Sequence, residues 1–131
     1  MDCDQVTENL FVGSCLLDSK DLEDLRSLGI TAILSLQTPE DMGERGMEWE
    51  EKAALNAKLA FRSVPVRDFD TDDLQRNLPL CVAVLDHMLM AGHTVFLHCT
   101  AGTGRSPTVA VGYLRLVPGV ASGSGSGACT L

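Results

Sequence analysis

Nine consecutive residues concentrate the reactive side chains: His98-Cys99-Thr100-Ala101-Gly102-Thr103-Gly104-Arg105-Ser106. Five residues separate a cysteine from an arginine, and two of those five are glycine. Glycines let the backbone curl so that successive N–H groups point inward as an anion nest. The helix expected directly after the loop adds its positive N-terminal end. Arg105 contributes a planar fork matched to two phosphate oxygens. A cysteine at the mouth of such a field is expected as a thiolate at neutral pH, because helix N-termini lower cysteine pKa values to roughly 3.5–7.5. The expected chemistry is capture of a phosphate with a sulfur nucleophile aimed at phosphorus. A cysteine and an arginine at this spacing carry little information alone. Strand, His-Cys, two glycines, Arg-Ser and helix together are far rarer.

The loop must be held by elements that the rest of the chain supplies. Val6 to Val12 reads as a short strand or hairpin arm ending at Gly13. Asp18 or Ser19 caps a helix carrying Leu22, Leu25 and Leu28, and Gly29 stops it. Ile30 to Leu36 reads as a buried strand with Ile30, Ala32, Leu34 and Leu36 on one face and Ile33 on the other. Pro39 to Met47 is expected as an acidic loop, Glu48 to Leu59 as a helix, and Phe61 to Val66 as a strand. Asp68 to Asp73 is a loop with four acids. Leu74, Leu78, Val82, Leu85 and Leu89 mark a helical stretch in which Pro79 suits a fresh helix start. Thr94 to Leu97 is a short strand leading into the loop, and a helix runs from about Ser106 to Leu116. This alternation predicts an α/β domain with a central, mostly parallel sheet flanked by helices. Ligands of such sheets lie at the carboxyl ends of strands, where the loop after Leu97 falls.

Composition bounds the function. The chain has 131 residues, 45% hydrophobic and 21% charged, with a net charge of −8 from 18 acids and 10 bases. So acidic a surface argues against nucleic acid or anionic membrane as a partner. No uncharged run of 18 or more residues suits a membrane helix. Five cysteines, Cys3, Cys15, Cys81, Cys99 and Cys129, show no CxxC spacing. A reduced, cytoplasmic setting is expected, with a plastid as the alternative if a leader is missing. Residues 118–131 contain eight Gly, Ser or Pro among fourteen and no charge. They read as a flexible tail after a folding unit of residues 1–117.

The stretch HCTAGTGRS resembles the loop of cysteine-dependent phosphatases of the dual-specificity group, and the resemblance extends over residues 5–116. Val6-Thr7-Glu8-Asn9-Leu10-Phe11-Val12-Gly13 is similar to the group's opening strands. Leu28 to Leu36 is similar to its first helix-to-strand step. The Cys-Thr-Ala-Gly-x-Gly-Arg form, Arg67-Asp68-Phe69-Asp70 and Ser35-Leu36-Gln37 lean toward glucan phosphatases such as laforin and the plant starch phosphatases. Two departures stand out: Thr103 replaces a larger apolar residue, and the family continues past the last helix where this chain enters its Gly/Ser tail. The resemblance therefore implies a dual-specificity phosphatase-like domain, shortened at its C-terminal end.

The resemblance implies roles. Cys99 forms a thiophosphate intermediate, and Arg105 clamps the equatorial oxygens together with the N–H groups of Thr100, Ala101, Gly102, Thr103, Gly104 and Arg105. Ser106 eases departure of the thiolate, and His98 orients the loop. The family's general acid lies about thirty residues before the cysteine, which matches Asp68, with Asp70 as the second candidate. Asp72 and Asp73 suit the first turn of the next helix. Phe69 and Trp49 are candidate substrate platforms, each with core packing as the alternative. Met88 and Met90 are expected as core filler, Cys15 and Cys81 as buried, and the acids from Glu40 to Glu51 as a solvated face. No metal or other cofactor is required, and the protein is expected to be monomeric. The implied substrate is a phosphorylated glucan. The alternatives are a phosphoprotein carrying phosphotyrosine, phosphoserine or phosphothreonine, and a shortened form that binds phosphate without turnover.

Overall fold

The computed structural model describes residues 1–101 and 104–117. Gly102, Thr103 and the expected tail lie outside the described residues. The chain opens as a hairpin, β1 (Cys3–Thr7) pairing antiparallel with β2 (Leu10–Gly13). Then follow α1 (Ser19–Ser27), β3 (Ala32–Ser35), α2 (Pro39–Met42), α3 (Glu48–Asn56), β4 (Ala60–Ser63), α4 (Thr71–Met90), β5 (Val95–His98) and α5 (Arg105–Leu116). The sheet order is β1-β2-β5-β3-β4, and every pair except β1–β2 is parallel. The expected α/β architecture with a mostly parallel sheet is present. β5 sits between β2 and β3, and register places His98 beside Gly13 and Ser35. Three strands thus end in one row, and the Cys99 loop leaves from the middle of it.

The two faces of the sheet bury separate cores. Leu10, Val12, Ala32, Leu34, Val95 and Leu97 face Cys81, Val82, Leu85 and Met88 of α4 and Val109, Ala110 and Tyr113 of α5. Phe11, Ile33 and Phe96 face Leu22 and Leu25 of α1 and Ala54 of α3. Ile30 joins this second face rather than the Leu34 face. It precedes the strand, its N–H still bonded to the Leu25 carbonyl at 3.1 Å, so the two-residue alternation has not begun there.

Other local expectations are corrected. Residues 39–42 form a helical turn, because Thr38 and Asp41 build a capping box and Pro39 suits a first helical position. A 3-10 turn, Gly43–Arg45, follows. Pro79 does not begin a helix but lies inside the single α4. Burial of Cys81, Val82, Leu85 and Met88 on the α5 side carries the helix through the missing N–H. Met88 is core but Met90 is 81% exposed, and Cys81 is buried while Cys15 is half-buried. Among the described residues, no helix is long and apolar enough to cross a membrane.

Candidate active site

Backbone pairing at the strand ends fixes the start of the loop. The Cys99 N–H donates to the Gly13 carbonyl at 3.4 Å, and the Cys15 N–H donates to the Thr100 carbonyl at 3.0 Å. Gly13 leaves no room for a side chain, since a Cβ there would lie 1.9 Å from the Asp2 carbonyl oxygen. Cys99 is buried at the base of a cleft of about 420 Å³, lined also by Arg67, Asp68, Phe69, Asp70, Thr71, Leu74, Ala101, Gly104, Arg105 and Thr108. α5 begins directly at this cleft after Gly104, which provides no side-chain cap. Its first-turn N–H groups put partial positive charge at the cleft floor.

Ser106 Oγ lies 3.2 Å from Cys99 Sγ and 3.3 Å from the Gly13 carbonyl oxygen. The hydroxyl has one proton and two acceptors to choose from. With a thiol at position 99 it donates to Gly13; with a thiolate it turns and donates to sulfur.

Arg105 is 3% exposed and nearly saturated. Its Nη1 donates to Asp41 Oδ2 at 2.6 Å and to the Val66 carbonyl at 2.7 Å, with the Leu36 carbonyl at 3.4 Å. Its Nη2 donates to Thr100 Oγ1 at 3.1 Å, and Gln37 Nε2 donates to the same oxygen at 3.1 Å. A guanidinium has five protons. Among the described residues, those left without a partner are one on Nη2 and the Nε–H, groups that lie on one edge of the fork. The buried Nε has no hydrogen-bond partner among the described residues, and Asp68 Oδ1 lies 3.5 Å from it. An edge of two adjacent donors suits bidentate recognition of a phosphate.

The four acids of residues 68–73 separate clearly. Asp70 caps α4 by accepting from the Asp73 N–H at 2.9 Å and pairs with Arg67 at 3.8 Å. Asp73 accepts from the Arg67 N–H at 2.8 Å, and exposed Asp72 does not line the cleft. Asp68 lines the cleft beside Cys99, held by the Phe69 N–H at 3.1 Å. Phe69 is fully exposed at the cleft rim, on left-handed backbone with φ +57°. It is not a core plug. Trp49 lies apart from the cleft, half-buried against the α1/α3 core, with the Arg45 guanidinium 3.6 Å above its ring.

Two acids of the 40–51 stretch, expected to be solvated, are structural partners of the loop. Asp41 holds Arg105. Burial acts to raise its carboxyl, but hydrogen bonds from Arg105 and the Thr38 N–H outweigh this and hold it below the usual carboxylate range. Glu50 is buried, its Oε2 2.6 Å from His98 Nε2. Sequence reasoning misses both. The Thr38-x-x-Asp41 capping pattern and the placement of Glu50 one turn before buried Ala54 are the available signals. His98 is fully buried, its Nδ1 3.1 Å from the Cys99 carbonyl oxygen and its ring stacked on Phe96.

A buried cysteine, a two-donor arginine edge and an adjacent carboxylate thus meet at the carboxyl ends of parallel strands, side-chain types that suit phosphate capture beside a sulfur nucleophile. Residues 10–117 match the family described as the dual specificity phosphatase catalytic domain, and the chain belongs to it. It is 35% identical over 113 residues to the chloroplastic phosphoglucan phosphatase LSF1 of Arabidopsis thaliana, covering 85% of this chain and 19% of that protein. It is 36% identical over 110 residues to human dual specificity protein phosphatase 9, covering 84% of this chain and 26% of that one. The chain thus spans about a fifth to a quarter of the length of these relatives. The crystal structure of Cydia pomonella PTP-2 phosphatase shares the fold, with a TM-score of 0.67 at 24% identity over 86% of this chain and 68% of that one.

Proposed function

We propose that this domain hydrolyses phosphomonoesters of a phosphorylated glucan through a cysteinyl-phosphate intermediate. The Cys99 thiolate attacks phosphorus while the Nε–Nη2 edge of Arg105 and the loop N–H groups hold the equatorial oxygens. Asp68 gives its proton to the ester oxygen, which leaves as an alcohol. Asp68, now a carboxylate, takes a proton from water, whose oxygen attacks phosphorus. Sulfur departs as a thiolate, accepting the Ser106 proton in a hydrogen bond.

The glucan reading rests on Phe69, an aromatic ring 101% exposed at the rim of the cleft. Aromatic faces stack on the apolar faces of sugar rings, and this ring is free to do so at the cleft rim. The name of the LSF1 relative agrees with this substrate class. Protein dephosphorylation is the second reading, favoured by the similarity to dual specificity protein phosphatase 9. The test is phosphate release from solubilised amylopectin beside release from a phosphotyrosine peptide. Glucan turnover is expected to exceed peptide turnover, and equal or faster peptide release removes the glucan reading. Residues 1–117 are proposed as the unit that folds and turns over. A single cooperative thermal transition with p-nitrophenyl phosphate turnover is expected; its absence favours a phosphate-binding form without activity.

A further inference from the structure

A second set of ionisable groups lies on the α1/α3 side of the sheet, away from the cleft. His98 and Glu50 are both buried there, joined by a 2.6 Å bond between Nε2 and Oε2. The other contact of the ring is Nδ1 to the Cys99 carbonyl oxygen at 3.1 Å. A carbonyl oxygen only accepts, so Nδ1 carries a proton. One further proton lies in the short bond to Glu50. With that proton on Nε2, the ring is an imidazolium next in sequence to Cys99, balanced by a buried carboxylate. A charge buried this deeply needs a counter-charge, and Glu50 is the group in hydrogen-bond contact that supplies one.

The carbonyl contact also fixes a direction. In a trans peptide the N–H points opposite to the C=O. Holding the Cys99 carbonyl on His98 therefore turns the Thr100 N–H away from the ring. Other ionisable groups near this region are the Cys15 thiol, pushed up by burial with the Glu50 charge adding to that push, and beyond it Asp21 and the N-terminus. On the cleft side they are Arg105, Asp41 and Asp68.

We propose that Glu50 is a positioning residue of the phosphatase site: through His98 it keeps a positive charge next to Cys99 and fixes the Cys99–Thr100 peptide at the start of the loop. The proposal rests on the reading of Cys99 as nucleophile. Glu50 acts only through the ring and touches no substrate.

The experiment is the rate of Cys99 alkylation by iodoacetamide against pH, located by peptide mass spectrometry, with thermal melting of each variant. Glu50→Gln keeps a hydrogen bond to Nε2 but removes the charge. It is expected to move the midpoint of the curve up by about one pH unit, which slows alkylation about tenfold at pH values well below both midpoints. His98→Asn retains an N–H for the Cys99 carbonyl without the charge and is expected to show the same shift. It carries the test if the Glu50 variant does not fold. The double variant is expected to shift no further than either single one. A Glu50→Gln curve that overlays the unsubstituted protein, with only the melting temperature lowered, overturns the proposal. An unsubstituted protein whose Cys99 alkylates like an ordinary thiol overturns instead the nucleophile reading beneath it.

Discussion

Asp41→Asn removes one charge from the guanidinium clamp while keeping an oxygen that can accept. The carboxylate takes Arg105 Nη1 at 2.6 Å and the Thr38 N–H at 2.8 Å through the same oxygen, and its side chain is only 13% exposed. Breaking a buried ion pair from one side costs about 3–5 kcal/mol when the remaining charge is stranded. Here Arg105 retains the Val66 carbonyl and Thr100 Oγ1, and asparagine still accepts, so a loss of about 2 kcal/mol is expected. For the roughly 115 residues described, that corresponds to a melting temperature lower by about 8 °C. The sign with pH follows from the lowered carboxyl of Asp41. Its stabilisation is present above the unfolded carboxylate value near 3.9 and is lost as pH falls through the lower folded value. The stability gap between the two proteins therefore closes on acidification below about pH 4. Catalysis should suffer as well, because the Nε–Nη2 edge is aimed by what holds Nη1. A fall in kcat/KM for p-nitrophenyl phosphate of about 10- to 100-fold is expected. Urea unfolding between pH 7 and 3 and steady-state kinetics at one pH measure both quantities. A variant with kcat/KM within twofold of the parent refutes the clamp, whatever its stability.

Cys99→Ser is expected to abolish p-nitrophenyl phosphate turnover, and retained turnover removes the covalent mechanism. Asp68→Ala slows hydrolysis about 10²- to 10⁴-fold, most with poor leaving groups, whereas Asp70→Ala acts mainly on stability through loss of the α4 cap, by about 1 kcal/mol. Gly13→Ala places a Cβ 1.9 Å from the Asp2 carbonyl oxygen, so chemical denaturation should show a loss of about 1–3 kcal/mol or more. Burial raises the Cys81 thiol from 9.0 to about 11. The unfolded chain thus ionises this thiol first, and stability falls as pH rises from about 9 to 11, by an upper limit of about 2–3 kcal/mol. Cys81→Val flattens that alkaline slope in melting experiments, and an unchanged slope refutes the assignment.

Helices and strands with clear period or stop signals are legible in the sequence itself. Leu22 and Leu25 do lie buried between the Asp18 cap and Gly29, and Val95, Phe96 and Leu97 do form the strand leading into the loop. The differences share one cause, a local rule overridden by packing. Alternation puts Ile30 on the Leu34 face, but only a paired strand enforces alternation. Proline chemistry starts a helix at Pro79, and burial of α4 outweighs it. Asp41 and Glu50 read as surface charges because charge is mostly exposed.

Reactive residue types and their spacing are local properties. The chain by itself therefore determined the Cys99–Arg105 loop and its place between a strand and a helix, while four acids ahead of it competed and the family resemblance put Asp68 foremost. Tertiary structure decided which groups face that loop. Asp41 is 64 residues from Arg105, and Glu50 is 48 residues from His98. Neither pairing leaves a periodic trace in the sequence, because each forms only when the ends of parallel strands align in one row. The same alignment selects the edge of Arg105 that stays available, brings Asp68 within 3.5 Å of its Nε, and leaves Phe69 at the rim.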